Sequence, residues 1–248
     1  MPSAPGCARR CGSTVAAEPG GRRAPRVWLF DLDNTLHDAS HAAFGMLDDS
    51  INDYIARELA LPPAEADALR RHYWRRYGAT LLGLERHHGV RAAHYLEHTH
   101  RLPGLEARLR ASRHDRAALA RLRGRKYVLT NAPLGYATRV LDALRLAPLF
   151  EGIVAIERMR MFGRLRPKPD ARMLRFVLAR LKLLPARCTL VEDTLAHQRA
   201  ARSIGMDAVW MQRYLRGNSH GPEAGVRRCA RPAYVYARIN SIHQLRRL

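Results

Sequence analysis

Five short, continuous apolar runs recur along this chain, and between them the apolar residues fall at helical spacing. That alternation constrains the fold more than any other feature. The runs are Val27-Trp28-Leu29-Phe30, Tyr127-Val128-Leu129, Ile153-Val154-Ala155-Ile156, Thr189-Leu190-Val191 and Ala208-Val209-Trp210-Met211. Runs of this length without polar alternation belong to strands buried on both faces. Leu134 to Leu146, Ala171 to Lys182 and Ala196 to Ile204 read as helices, the last one stopped by Gly205. Strands and helices in turn predict an α/β fold, a Rossmann-like parallel sheet with helices on both faces.

Between the first two runs lies a long excursion, residues 38–115, rich in Ala, Leu, Arg and Glu at helical spacing and nearly without strand signal. A single crossover does not need so much chain. The expected organisation is therefore an α/β core of residues 26–41 and 103–248 with an α-helical cap, residues 42–102, inserted after the first strand. Tyr234 to Ala237 is expected to add a late strand and Ser241 to Leu248 a closing helix. Residues 1–25 combine Pro, Gly, Ala, Ser and Arg without periodicity. Such a segment cannot repay the entropy of ordering, so it is expected to be a disordered basic tail.

The apolar share of 47% and charged share of 26% are ordinary for a globular protein. No apolar stretch approaches the roughly 20 residues that cross a bilayer, and the basic first segment lacks the apolar run of a secretory signal. A cytoplasmic protein without a membrane partner is expected. Cys7, Cys11, Cys188 and Cys229 form neither a recognisable zinc cluster nor a disulfide framework, as expected of reduced thiols. The formal net charge of +21 raises the question of a polyanion partner. Lysine occurs only at 126, 168 and 182, so nearly all of the 43 basic residues are arginines, and they are scattered along the chain. This skew points to compositional bias rather than a specific nucleic-acid site, although it would draw anionic substrates inward.

In an open parallel sheet, ligands collect beyond the carboxyl ends of the strands. The residues that follow each apolar run are therefore informative. The first run yields Asp31-Leu32-Asp33-Asn34-Thr35, the second Thr130-Asn131 and the fourth Glu192-Asp193, while Lys168-Pro169-Asp170 precedes a helix. Four carboxylates, Asp31, Asp33, Glu192 and Asp193, would repel one another at one sheet edge and call for a hard cation with oxygen ligands, most naturally Mg²⁺. Lys168 adds a second positive charge. An anionic nucleophile approaching an anionic phosphate meets about 4 kcal/mol per unit pair at about 4 Å in an effective dielectric of about 20. A metal and a lysine turn that repulsion into attraction.

In these motifs the chain resembles the haloacid dehalogenase-like superfamily of aspartate-nucleophile phosphatases, from residue 26 onward. The resemblance implies that Asp31 is the nucleophile and Asp33 the general acid and base. It further implies that Thr130, helped by Asn131, and Lys168 bind the phosphoryl group. Mg²⁺ would be held by Asp31, the backbone carbonyl of Asp33 and one or both of Glu192 and Asp193. One departure is His197, which stands where many relatives carry Asp or Asn four residues after the motif-four aspartate.

The stretch Tyr73 to Leu84, with Thr130-Asn131-Ala132 and the approach from Phe162 to Lys168, resembles bacterial pyrimidine 5′-nucleotidases. This implies UMP or CMP as substrate, cleaved to nucleoside and phosphate, and Tyr77 is the expected base or ribose contact. The same motifs also suit another small phosphate monoester, such as phosphoglycolate or a sugar phosphate, or a mutase. A reading from a different class is a non-catalytic basic protein that holds nucleic acid. His87-His88 and the pair His94 and His98, the latter four apart and so on one helix face, lack further metal ligands nearby. The oligomeric state is left open.

Overall fold

The computed structural model describes residues 26–110, 112–215 and 231–248. The expectations for residues 1–25, with Cys7 and Cys11, and for Cys229 lie outside the described residues.

The strands are β1 (Val27–Phe30), β2 (Arg125–Leu129), β3 (Gly152–Val154), β4 (Arg160–Met161), β5 (Arg164–Leu165), β6 (Cys188–Glu192), β7 (Asp207–Met211) and β8 (Ala237–Ile239). Six of them form one parallel sheet in the order β3-β2-β1-β6-β7-β8. The first strand thus sits at the centre. Its alternation divides the apolar run between two cores: Trp28 and Phe30 join Val128, Val140 and Leu141 on one face, whereas Val27 and Leu29 join Leu129, Met173 and Leu190 on the other. No polar face is left on this strand, which is why the sequence shows a continuous run.

The helices are α1 (Ala39–Ala42), α2 (Phe44–Leu59), α3 (Pro63–Tyr77), α4 (Thr80–His88), α5 (Ala92–Thr99), α6 (Leu105–Arg108), α7 (Arg113–Arg121), α8 (Leu134–Ala143), α9 (Ala171–Arg180) and α10 (Leu195–Ser203). Helices α7 and α8 supply Leu119 and Val140 to the first core, and α9 and α10 supply Leu174 and Ala201 to the second. Helices α2 to α5 build a third core around Tyr54, Tyr73, Leu84 and Tyr95, which also takes in Ile156 and Leu165. The helical insert is therefore seated on the segment between β3 and β5. Pro63 opens α3 and Gly78, at φ +77°, closes it, so that α4 can fold back alongside. Among the described residues no helix is long and apolar enough to cross a membrane.

Two expectations are corrected. The late strand is Ala237–Ile239 rather than Tyr234 to Ala237, because Val235 donates back to Pro232 in a turn and buries its side chain beside Trp210. The closing helix is a 3₁₀ segment, Ile242–Arg247, held at its start by a capping box from Ser241 and Gln244. The β4-β5 hairpin was not expected; Phe162 and Gly163 take φ +50° and +75° at its turn, and strands of two residues carry no periodic signal.

Gly83 marks where α3 and α4 touch. A Cβ at this position would overlap the Tyr73 ring. Gly83→Ala is expected to destabilise the protein by about 1–3 kcal/mol through overpacking. Urea or thermal unfolding checks this, and an unchanged midpoint would contradict the packing described.

Candidate active site

The register of the sheet assembles the site. Phe30 pairs with Val128 on one side and Val191 on the other, so the residue after it leaves the sheet between the ends of β2 and β6. That residue is Asp31, whose N–H donates to Val191 O at 2.9 Å. Thr130 follows β2, Glu192 ends β6, and Asp193 and Thr194 come next. Asp31, Thr130, Lys168, Glu192 and Asp193 are all buried, with Asp33 at the rim.

Lys168 is the only lysine here, and its ammonium donates to Asp31 Oδ1 at 2.6 Å and to Glu192 Oε2 at 2.7 Å. Its backbone is held by Asn131, which accepts from Lys168 N–H at 2.9 Å and donates to Lys168 O at 3.0 Å. Asn131, expected to help bind phosphate, places the lysine in this way and also lines the cavity above it. Thr130 Oγ1 accepts from Ala132 N–H at 3.0 Å and shapes the turn after β2.

Asp33 is gripped at one oxygen. Tyr136 OH donates to Asp33 Oδ1 at 2.8 Å, and His37 Nε2 lies 2.9 Å from the same atom. His37 is one helical turn beyond Asp33 and fully buried. Between them Asn34 takes φ +57° and its side chain bonds Ser40, closing the loop that aims Asp33. His100 is part of the same wall, its pKa lowered to about 4 by burial against the pull of Asp33. These partners of Asp33 escaped sequence reasoning. The i, i+4 spacing of Asp33 and His37 was the one available signal.

Negative charge exceeds positive at the strand ends. Burial pushes the Asp31 carboxyl up to about 8, with Glu192 and Asp33 adding to the shift and Lys168 opposing it. Asp193 is pushed well above the usual range by burial and by the neighbouring Glu192 and Asp31. Burial would raise Glu192 too, but Lys168 and His197 outweigh it and hold the carboxyl well below its ordinary value. His197 Nδ1 stands 3.0 Å from Glu192 Oε2, within ion-pair reach. Lys168 is held above its ordinary value, since its two carboxylate partners outweigh the burial that would lower it.

Oxygens of Asp31, Glu192 and Asp193 lie within 4.8 Å of one another. Buried, all-oxygen and excessively negative, this donor set fits a hard divalent cation such as Mg²⁺. Among the described residues no other group of three or more His, Cys, Asp or Glu side chains is so arranged. The cap histidines are otherwise engaged: His87 and His88 with the hydroxyls of Tyr77 and Tyr73, and His94 with that of Tyr54.

A cavity of about 1040 Å³ opens over these groups. Its floor includes Asp31, Asp33, Thr130, Asn131, Lys168 and Asp193, and its opposite wall comes from α2 and α3. Tyr77 does not line it. The Tyr77 ring packs beside Tyr73 and its hydroxyl meets His87 Nε2 at 2.6 Å, so the expected substrate contact is corrected; Trp74 occupies the cavity wall instead.

A profile of haloacid dehalogenase-like hydrolases matches residues 25–205. The chain is 26% identical over 196 residues to Phosphate metabolism protein 8 of Saccharomyces cerevisiae, an alignment spanning 75% of this chain and 61% of that protein. Among solved structures it is similar to CbbY from Rhodobacter sphaeroides in complex with phosphate, with a TM-score of 0.60, 18% identity, and 89% of this chain and 96% of that one covered. It is also similar to the putative hydrolase YfnB from Bacillus subtilis bound to magnesium, with a TM-score of 0.54, 18% identity, and coverage of 90% and 97%. Identities this low carry the fold.

Cation binding to the folded state alone should stabilise it by about 2.7 kcal/mol at a hundredfold excess over Kd. Mg²⁺ is therefore expected to raise Tm, EDTA to reverse the rise, and Asp193→Asn to reduce it strongly. Calorimetry in which Mg²⁺ shifts wild type and variant alike would contradict this assignment.

Proposed function

The chain belongs to the haloacid dehalogenase-like hydrolase family, and we propose that it is a Mg²⁺-dependent phosphomonoesterase that cleaves pyrimidine nucleoside 5′-monophosphates through an aspartyl-phosphate on Asp31. The observation that carries this reading is the buried Asp31 carboxylate, bonded through Oδ1 to Lys168 beneath a large cavity, with Asp33 at the rim.

Lys168 takes one oxygen of Asp31 and leaves the other to act as nucleophile. As the Asp31 oxygen bonds to phosphorus, the ester P–O bond breaks and Asp33 gives its proton to the departing alcohol oxygen. Asp33 then takes a proton from water, whose oxygen attacks phosphorus and releases phosphate from Asp31. Tyr136 and His37 hold Asp33 Oδ1, which leaves the second oxygen to carry the proton in both steps. In this reading Thr130 and Lys168, which line the cavity, receive the phosphoryl oxygens. A divalent cation held by Asp31, Asp193 and Glu192 would supply neutralisation of the negative charge that gathers when a carboxylate meets a phosphate.

The nucleotide assignment rests on the resemblance of Tyr73 to Leu84 to pyrimidine 5′-nucleotidases and on a cavity roomy enough for a base and ribose as well as phosphate. The intact acidic set speaks against a nucleic-acid binder, which would have no use for four carboxylates beside its ligand. Phosphoglycolate and sugar phosphates are the competing esters.

Phosphate release from UMP, CMP, phosphoglycolate and ribose 5-phosphate, with Mg²⁺ and with EDTA, tests the assignment. Preferential Mg²⁺-dependent release from UMP and CMP is expected, and preference for another ester would overturn the substrate. Asp31→Asn should abolish turnover with the fold intact by circular dichroism. Asp33→Asn should lower kcat by about 10²–10⁴-fold, the usual worth of a general acid and base. Substantial turnover by Asp31→Asn would contradict the mechanism.

A further inference from the structure

Helix α3 shows two faces. Ala66, Leu69, Tyr73 and Tyr77 turn into the third core, whereas Asp67, Arg70, Arg71 and Trp74, at i, i+3, i+4 and i+7, line the cavity. A tryptophan on the polar stripe of an amphipathic helix is out of place for packing, and among the described residues no aromatic ring stacks on Trp74, although Tyr73 and Tyr77 beside it are both ring-packed. Its indole is half-buried and faces the space above the catalytic carboxylates.

The residues around it fix the indole and set the charge. Arg70 spends all three of its donor nitrogens on protein, with Nε to Asn52 Oδ1 at 2.9 Å, Nη1 to Asp48 Oδ1 at 2.7 Å and Nη2 to Asp67 Oδ1 at 2.9 Å. It ties α2 to α3 one turn before Trp74, and its charge is already matched by Asp48 and Asp67. Arg71 is paired with Asp67. Asp48, Asp49 and Asp67 line this wall beside Arg70 and Arg71, three carboxylates with two guanidiniums. A second phosphate would be repelled there, and a carboxylate would fare no better. A neutral, flat group with both donors and acceptors on its edge suits a wall of one indole flanked by amide, carboxylate and guanidinium groups.

We propose that Trp74 is the specificity-determining residue, the platform on which the base of a nucleoside monophosphate stacks while its phosphate rests over Asp31. Arg70 is the positioning residue that holds this platform by bracing α3 against α2. The proposal rests on the nucleotidase reading above. It selects monophosphates with a neutral aromatic group at the far end and disfavours sugar bisphosphates.

The three tryptophans of the chain make this testable by fluorescence, because Trp28 is 3% exposed, Trp210 is 0% exposed and Trp74 alone lines the cavity. With the inactive Asp31→Asn protein and Mg²⁺, titration with UMP is expected to quench emission saturably, and the quench should vanish in Asp31→Asn/Trp74→Phe. In the active enzyme, Trp74→Ala should collapse the ratio of kcat/KM for UMP over ribose 5-phosphate by about 10- to 100-fold, the range expected for losing one stacked base. The loss should fall on KM, and Trp74→Phe, which keeps a flat ring, should restore most of it. A quench that survives Trp74→Phe, or equal losses for both esters, would overturn the platform while leaving the nucleotidase reading intact. A wild-type enzyme without preference for UMP over ribose 5-phosphate would overturn both.

Discussion

Lys168 is buried with its ammonium against Asp31 and Glu192, and the arrangement of the catalytic floor follows from that one cation. Carboxylates taken out of water at the end of a sheet would each lose their charge to a proton unless something compensated them. One lysine compensates part of the excess and leaves the rest for a metal. Its position also separates the two neighbours: Glu192, with Lys168 and His197 close by, is held below its ordinary value, whereas burial, with Glu192 and Asp31 beside it, drives Asp193 up. The result is a buried, all-oxygen donor set that fits a divalent cation.

The lysine does not place itself. Asn131, leaving β2, grips its backbone from both sides, and Thr194 N–H donates to Glu192 Oε1 at 3.2 Å from the turn after β6. Gln198 Nε2 donates to Glu192 O at 2.8 Å and Trp210 Nε1 to Asp193 O at 2.8 Å, so the β6 turn is tied to α10 and β7. Four adjacent parallel strands, β2, β1, β6 and β7, thus contribute to one floor. Above it the wall from α2 and α3 is a separate packing problem, solved by Tyr73 resting on Gly83 and by Arg70 bridging the two helices.

The parts legible in the sequence were those whose signal is local. A central strand buried on both faces must be continuously apolar, and the charged residues that follow it mark where the chain leaves the sheet. Asp31, Glu192 and Asp193 were singled out by that rule and Lys168 by its place before a helix, and the structure brings them together. Tyr136 was not, because its bond to Asp33 spans 103 residues and depends on how α8 packs. That Trp74 rather than Tyr77 lines the cavity was hidden for a similar reason. A helical wheel divides Tyr73 and Tyr77 from Trp74 but cannot say which face meets the core until Gly83 offers Tyr73 its place. The late strand slipped because Pro232 and Val235 form a turn that local apolarity does not reveal.

The central claim is that the phosphoryl group rests covalently on Asp31. A mixed anhydride of this kind is reduced by borohydride, which turns the aspartate into homoserine, a residue with one oxygen fewer and two hydrogens more. Enzyme quenched during turnover of its preferred phosphate ester with Mg²⁺, reduced, digested and read by tandem mass spectrometry should carry homoserine at position 31 and nowhere else. Robust phosphate release with Asp31 left unmodified, or with the modification at Asp33 or Asp193, would contradict the account.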